Sequence, residues 1–170
     1  LNQLLVAGNE TTRNLLSGGL RALAERPEQW ARLRADPGVL GPLAVEELLR
    51  WTTPVIYFMR TATRDTSLGG EAIGAGQPVV LLYASANRDE AVFGPTADAL
   101  DVGRNPNQHL AFGFGAHFCV GAALARLEAR VVLEELVARA RAIEPAGPVE
   151  RTGSDVIAGI RRAPLRFQPN

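Results

Sequence analysis

The sequence has no lysine, one cysteine, one methionine and two histidines among 170 residues. A single cysteine excludes an internal disulfide and argues against a secreted, disulfide-stapled scaffold. No apolar run approaches the roughly 18 residues needed to cross a bilayer, so no membrane segment is predicted in this part. The 18 arginines equal the 18 acidic residues in number, so neither sign of charge is in excess. This balance argues against nucleic acid as a main partner.

What remains is the composition of a globular chain of about one domain, with 46% hydrophobic residues. Its first residues, Leu1-Asn2-Gln3-Leu4, resemble neither a start methionine nor a signal peptide and are typical of a helix interior. We therefore expect residues 1–170 to be a single partial domain cut from a longer protein.

Periodicity and turn signals predict a mainly α architecture with small β-sheets (α+β). Helices are predicted over residues 1–25, 28–35 with Pro27 in the first turn, 40–51 and 120–142. Strands are predicted over 55–63, 66–68, 71–73 and 78–83, with Gly69-Gly70 as a hairpin turn. Residues 89–110 are expected to be irregular, a feature that in compact chains is usually functional. The tail is expected to form turns and short strands.

The only cysteine stands in an unusual setting, FGFGAHFCVG, directly before the longest predicted helix after the first. A helix N-terminus carries partial positive charge, which favours a thiolate at Cys119. Nearby glycines let the backbone approach another group closely. A loop of this kind suits a metal-bearing macrocycle, and a cysteine thiolate is one of the axial ligands that haem iron accepts.

Three other interpretations of Cys119 stay open on these residues alone. It could be a buried cysteine that acts as a small hydrophobe. It could bind zinc with His109 and His117, although an H-x-C pair lacks the usual ligand spacing. It could be a nucleophile with one of those histidines as its base, although His117 is only two residues away.

The stretch from Phe112 to Gly121 resembles the haem-binding signature of the cytochrome P-450 family, F-x-x-G-x-[R/H]-x-C-x-G, at every fixed position. The resemblance implies that Cys119 is the thiolate ligand of iron and that His117 bonds a haem propionate. It also implies that Phe112 packs beside the sulfur, with Gly113, Gly115 and Gly121 shaping the cofactor loop.

A second motif, AGNETT, resembles the oxygen-site helix of the same family. By this resemblance Gly8 leaves room for dioxygen, Thr11 bonds the oxygen or a water, and Glu10 relays protons, so these three are the candidate catalytic residues. Ala7 would line the substrate pocket. The alternative for Thr11 is that its hydroxyl bonds back to the carbonyl of Ala7, four residues earlier.

A third motif is ELLR, in which Glu47 and Arg50 are three residues apart. As an ordinary helix pair it contributes only about 0.2–0.5 kcal/mol, and Glu46 is a rival partner four residues from Arg50. The resemblance selects Glu47 and adds Arg104 as the third member of a structural cluster that holds the cysteine loop in register.

Two further residues are candidate cofactor contacts. Arg60 occupies the family position that pairs with a haem propionate, and a guanidinium suits carboxylate geometry. A surface arginine beside a strand is the alternative. His109 matches a histidine common in bacterial members, where it approaches a propionate or has a structural role.

The resemblance implies the C-terminal part of the family fold, from the oxygen-site helix to the last strands, and a haem b cofactor. The whole protein would be a bacterial, cytoplasmic monooxygenase that uses O2. No flavin or nicotinamide motif is present, so electrons would come from a ferredoxin and its reductase. Arg104 and Arg126 would be possible contacts on the cysteine side.

The apolar residues Val55, Ile56, Ile157 and Ala158 match family positions that line the pocket, so the resemblance implies an apolar substrate, similar to sterols or terpenoids. Two other outcomes stay open. The protein could be a haem-thiolate dehydratase or isomerase, which Glu10 and Thr11 argue against, or the 170 residues could be an inert fragment.

Overall fold

The computed structural model describes residues 2–170, with side chains described for residues 7–36 and 38–170. Its α-helices are α1 Asn2–Ala24, α2 Pro27–Ala35, α3 Pro37–Leu40, α4 Ala44–Thr52, α5 Tyr83–Ala86, α6 Glu90–Phe93 and α7 Ala122–Arg139. The prediction of the first helix is confirmed within the described residues, Leu1 lying outside them. It ends before Pro27, which opens α2 as expected.

Two helix predictions were wrong at their ends. Residues 40–43 do not belong to α4, because Gly41 and Pro42 interrupt the helix and α4 begins only at Ala44. The last long helix ends at Arg139, and Ala140–Pro145 is a strand instead. Tertiary pairing with the final strand overrides the helical propensity of the alanine-rich end.

The strands within the described residues form four small antiparallel sheets of two strands each. They are β1 Tyr57–Thr61, β2 Thr66–Leu68, β3 Glu71–Ile73, β4 Pro78–Leu82, β5 Ala140–Pro145, β6 Glu150–Arg151, β7 Ile160–Arg162 and β8 Leu165–Pro169. The pairs are β1 with β4, β2 with β3, β5 with β8 and β6 with β7. Gly69 and Gly70, both at positive φ, make the predicted hairpin turn.

The segment 89–110 is not wholly irregular, because it contains α6 and a 3-10 turn at Gly94–Thr96. The strand predicted over 55–63 is shorter than expected and begins at Tyr57. Both differences are local, and the predicted class, helices with small sheets, is confirmed.

The core is one cluster that joins α1, α2, α4, α7 and β5. Leu15 and Leu23 of α1 pack with Leu48 of α4 and Leu133 of α7, and each of these side chains is buried. Gly19 lets α1 approach α4 closely, since a Cβ there would stand 3.0 Å from a methyl carbon of Leu48. This packing fixes α1, α4 and α7, the three helices that carry the sequence motifs.

One face of α7 is apolar and exposed, although the opposite face is in the core. Leu124, Leu127 and Val131, at helical spacing, remain about half exposed. Among the helices that the structure describes, none combines the length and apolarity that crossing a membrane requires.

Candidate functional site

Cys119 lies in a loop that is held at both ends of its turn. Its backbone N–H donates to the carbonyl oxygen of Phe112 (2.9 Å), and its own carbonyl accepts from the N–H of Ala122 at the start of α7 (3.3 Å). Gly113 and Gly115 both have φ near +70°, which a residue with a side chain rarely adopts. The loop is thereby folded back on itself, and it presents Cys119 as an exposed, free thiol.

The surroundings of Cys119 are apolar and exposed. Phe114, Phe118 and Val120 have relative exposures of 86%, 51% and 91%. His117 is also exposed, in the 3-10 turn Gly115–His117, and so offers an imidazole at the same loop. A free sulfur flanked by uncovered apolar side chains fits a large apolar group that carries a thiolate-seeking metal. The interpretation of Cys119 as a buried hydrophobe is wrong.

A zinc cluster is not formed by these residues. In the part of the chain whose side chains the structure describes, no three His, Cys, Asp or Glu groups come together as a metal site. His109 is turned toward α4, where its Nε2 lies 2.9 Å from Glu46. Cys119 and His117 are thus the donors at the loop, fewer than the three or four protein ligands of a zinc site, whereas a single thiolate is a known protein ligand of haem iron.

Arg60 is exposed on β1 and points along the surface. Its guanidinium donates to the carbonyl of Met59 (3.0 Å) and stands 5.8 Å from the ring centre of Phe58. The structure thus leaves most of its donors directed to solvent, which is compatible with an external carboxylate partner.

The predicted oxygen-site residues lie on α1, one turn apart. The hydroxyl of Thr11 donates to the carbonyl of Ala7 (2.6 Å), the geometry of the alternative interpretation. This bond uses the hydroxyl hydrogen and leaves the oxygen lone pairs free to accept from another donor. A Cβ built on Gly8 meets nothing within 4 Å, so the helix surface is open there. Glu10 is half exposed and paired with Arg13 (2.9 Å).

Glu47 is the centre of a buried ionic cluster. Its carboxylate accepts a bidentate pair from Arg50, both bonds at 2.7 Å, and a third bond from Arg104 at 3.1 Å. Asn107 and the backbone N–H of Asp101 complete its shell. The side chains of Glu47 and Arg50 are 0% exposed. The structure therefore brings Glu47, Arg50 and Arg104 together, and the choice of Glu47 over Glu46 agrees with the geometry.

Arg50 and Arg104 also bind the segment that follows α5. Arg50 donates to the carbonyls of Asn87, Ala97 and Ala99. Arg104 donates to carbonyls of the same segment and is only 8% exposed. The expectation that Arg104 could contact a redox partner was wrong, because its guanidinium is buried and its N–H groups donate to Glu47 and to backbone carbonyls. The two guanidinium groups therefore satisfy backbone carbonyls that, in an irregular segment, have no N–H partner in a helix or sheet.

Glu46, which the sequence analysis treated only as a rival, forms a second cluster. It binds Arg126 of α7 through two bonds (2.6 and 2.8 Å) and His109 through one (2.9 Å). Burial raises the pKa of Glu46, but the hydrogen bonds and charges of Arg126 and His109 outweigh it and lower the pKa from 4.5 to about 2. The sequence does contain a signal for this cluster, the adjacent acids Glu46 and Glu47. Only one of the two can pair with Arg50, so the other requires a different partner.

Of the two roles given for His109, a propionate contact and a structural role, its contacts in the fold agree with the structural one. Its Nδ1 accepts from the N–H of Ala111 (3.2 Å), so Nε2 carries the hydrogen that is donated to Glu46. With these two contacts, the ring has no further N–H to donate to a propionate.

The four predicted pocket residues on loops are brought together by backbone pairing. Val55 and Ile157 form an antiparallel bridge, and the N–H of Ile56 donates to the carbonyl of Val156 (2.8 Å). The N–H of Ala158 donates to the carbonyl of Pro54 (2.9 Å). Two apolar segments about a hundred residues apart in sequence are therefore joined by main-chain bonds.

Comparison with known proteins gives consistent matches along the chain. The family model described as Cytochrome P450 matches residues 42–155. Cytochrome P450 126 of Mycobacterium tuberculosis is 52% identical over 158 residues, which are 93% of this chain and 38% of that protein. The steroid C26-monooxygenase of the same species is 44% identical over 170 residues, covering 98% of this chain and 45% of that protein.

Solved structures agree with these matches. Cytochrome P450-153 from Novosphingobium aromaticivorans superposes with a TM-score of 0.92 at 45% identity, covering 98% of this chain and 42% of that one. The chain thus spans between 38% and 45% of the length of these three proteins.

Proposed function

The chain belongs to the cytochrome P450 family, and from that premise we propose that the whole protein is a haem-thiolate monooxygenase. The observation that carries this proposal is Cys119, an exposed free thiol on a folded-back loop with uncovered apolar neighbours. The matches to the C26-monooxygenase and to other P450 proteins support the same reaction class. Residues 1–170 form one part of a single catalytic domain in this proposal.

Haem b is the cofactor that these residues would hold. Cys119 would supply the thiolate that binds the iron, and His117 and Arg60 would contact the propionates. Four residues of the loop would shape it around the cofactor: Phe112, Gly113, Gly115 and Gly121. When bound, the haem supplies activation of O2 for insertion of one oxygen atom into a C–H bond. The chain contributes the sulfur, the apolar surroundings that exclude water and the polar contacts that orient the cofactor.

The hydroxyl of Thr11 and the open surface at Gly8 would serve the reaction from α1. Thr11 keeps lone pairs that can accept a hydrogen bond and hold a water in place, while Ala7 fixes the hydroxyl direction. Glu10 lies one residue earlier, half exposed and paired with Arg13, where it can exchange protons with solvent. These assignments give Thr11 the task of holding a proton donor at a fixed place.

Replacing Thr11 by alanine in the whole protein should leave haem bound but divert consumed O2 to hydrogen peroxide. Positioned proton transfer contributes about 10²–10⁴-fold to such reactions, so hydroxylated product should fall by about 100-fold. Product and peroxide are measured against O2 consumed. Thr11→Ser is the matched control, since it keeps the hydroxyl and should stay coupled. An alanine variant that is as well coupled as the unmodified protein would remove the role of Thr11.

The substrate we propose is an apolar small molecule of sterol or terpenoid size. The pairing of two apolar segments, which brings Val55 and Ile56 beside Ile157 and Ala158, supports this. The steroid substrate class in the name of a relative that is 44% identical supports it as well. We further propose an external ferredoxin and ferredoxin reductase as electron donors and a location in the bacterial cytoplasm. The exposed apolar face of α7 supports the expectation that more of the protein packs on this chain.

The test of the proposed function is the absorption spectrum of the whole protein, reduced and carrying carbon monoxide. A thiolate ligand shifts the main band strongly to the red, and a histidine ligand does not. Absence of the shifted band would overturn the assignment of Cys119. Presence of the band without any O2-dependent product would favour the second candidate, a thiolate-haem isomerase or dehydratase.

A further inference from the structure

The cysteine loop is supported from behind by a cluster whose central carboxylate, Glu46, neither the motifs nor the resemblance gave a role. The ring of Phe112 lies between three groups. The guanidinium of Arg126 stands 4.6 Å from its centre, and the rings of His109 and Phe118 lie at 6.0 and 6.2 Å. The backbone carbonyl of the same Phe112 accepts the N–H of Cys119. Phe112 therefore joins this cluster, through its ring, to the backbone that carries the sulfur, through its carbonyl.

Two of the groups around Phe112 are held by one carboxylate. Oε1 and Oε2 of Glu46 bind Nε and a terminal nitrogen of Arg126, and Oε2 also accepts from Nε2 of His109. Arg126 belongs to α7, His109 precedes the loop and Glu46 belongs to α4, so three separate elements meet at this carboxylate. The His109 ring is 3% exposed and Glu46 24%, which means that the contact is shielded from water.

Arg126 places a positive charge behind the backbone that carries the sulfur, since its guanidinium lies over the ring of Phe112. Hydrogen bonding to Glu46 raises the pKa of this guanidinium, and burial opposes the rise. A cation near a thiolate stabilises the negative charge on the sulfur and so lowers its electron donation. A carboxylate bound to that cation offsets the positive charge and weakens this effect. Glu46 thus controls both the position and the effective charge of the group behind the loop.

We infer that Glu46 is a positioning residue for Cys119, holding Arg126 and His109 against Phe112 and balancing the Arg126 charge near the sulfur. The inference rests on the proposed function, because it concerns the sulfur as a ligand of haem iron. Glu46 itself touches neither the reacting atoms nor, in this assignment, the cofactor.

The experiment measures the reduction midpoint potential of the haem iron in the whole protein by chemical titration, without a redox partner. Glu46→Gln keeps the size and one acceptor but removes the charge, so Arg126 is left uncompensated and the potential should become more positive. Arg126→Met keeps an unbranched stem over Phe112 but removes the cation, so the potential should become more negative. The double variant should return toward the unmodified value.

Opposite signs are the readout that a purely structural role would not give, because a loosened loop would move both variants in the same direction. Glu134→Gln is the matched control, since Glu134 faces Arg130 on α7 in an exposed pair (3.6 Å) and should leave the potential unchanged. Shifts of equal sign, or shifts no larger than that of Glu134→Gln, overturn the inference.

Two other results would also bear on the inference: a variant that does not take up haem, and an unmodified protein without the red-shifted band. If Glu46→Gln does not take up haem, the sign of the Arg126→Met shift decides alone: a more negative potential supports the inference, and an unchanged or more positive one overturns it. If the unmodified protein lacks the red-shifted carbon monoxide band, the proposed function fails and this inference falls with it. A normal band with unmoved potentials removes only the inference.

Discussion

Glu47→Gln in the whole protein should lower the free energy of unfolding by about 3–5 kcal/mol, the cost of breaking a buried ion pair from one side. The glutamine has nearly the same shape, but it leaves Arg50 and Arg104 as uncompensated buried charges and turns one acceptor into a donor that faces their N–H groups. A loss of this size is a large part of the stability of a typical domain, which is about 5–15 kcal/mol.

Denaturant unfolding followed by circular dichroism measures this loss, with Glu71→Gln on the exposed β2–β3 hairpin as the control. The control should stay within about 0.5 kcal/mol of the unmodified protein. Adding Arg104→Gln removes one of the two stranded charges, so the double variant should lose less than the sum of the single variants. A Glu47→Gln protein whose free energy of unfolding is less than about 1 kcal/mol below that of the control would show that the buried ion pairs of Glu47 do not stabilise the fold.

Cys119→Ser in the whole protein should abolish both the red-shifted carbon monoxide band and the hydroxylation of substrate. A serine oxygen is a harder and far less electron-donating group than a thiolate, and electron donation from the sulfur favours O–O cleavage. Loss of outer partners of a metal site typically costs about 10–100-fold, so loss of the ligand itself should cost at least about 100-fold in activity. Absorption spectra and product analysis measure the two effects.

Ala116→Ser is the control for this change, because it places a hydroxyl in the same exposed turn without touching the sulfur. It should retain the band and the product. The rival role of Cys119 as a nucleophile makes the opposite prediction for the thiol: rapid alkylation of Cys119 in the haem-loaded protein would contradict iron ligation. Survival of hydroxylation in the serine variant would contradict it as well.

The sequence predicted those parts of the fold that depend on local physics. Proline and glycine determine where α1 and α2 end and begin and where the β2–β3 hairpin turns, and these positions were predicted. The end of α7 was not, because Ala140–Pro145 becomes a strand through pairing with β8, a partner that no local pattern indicates. The start of α4 was missed where Gly41-Pro42 had been read as helix.

For the site, motif spacing located Cys119, Glu47 and Arg50, whose partners lie nearby in sequence or share a loop. The second acid, Glu46, was misjudged because its partners are 63 and 80 residues away, on elements whose mutual orientation only the folded chain defines. The same reason applies to His109: its sequence neighbours suggested the cofactor loop, whereas its ring is bonded to α4.

The bridge between Val55 and Ile157 has a consequence for how selectivity changes. The two segments are joined by main-chain hydrogen bonds, so a substitution that shifts the backbone of one segment also shifts the backbone of the other. In the proposed function, substitutions in these two segments therefore act together on substrate selectivity, and a library that randomises residues 54–56 alone leaves the paired segment unchanged. A library that randomises residues 156–158 together with 54–56 allows both bonded segments to change, so that each new side chain can be accommodated by the opposite segment.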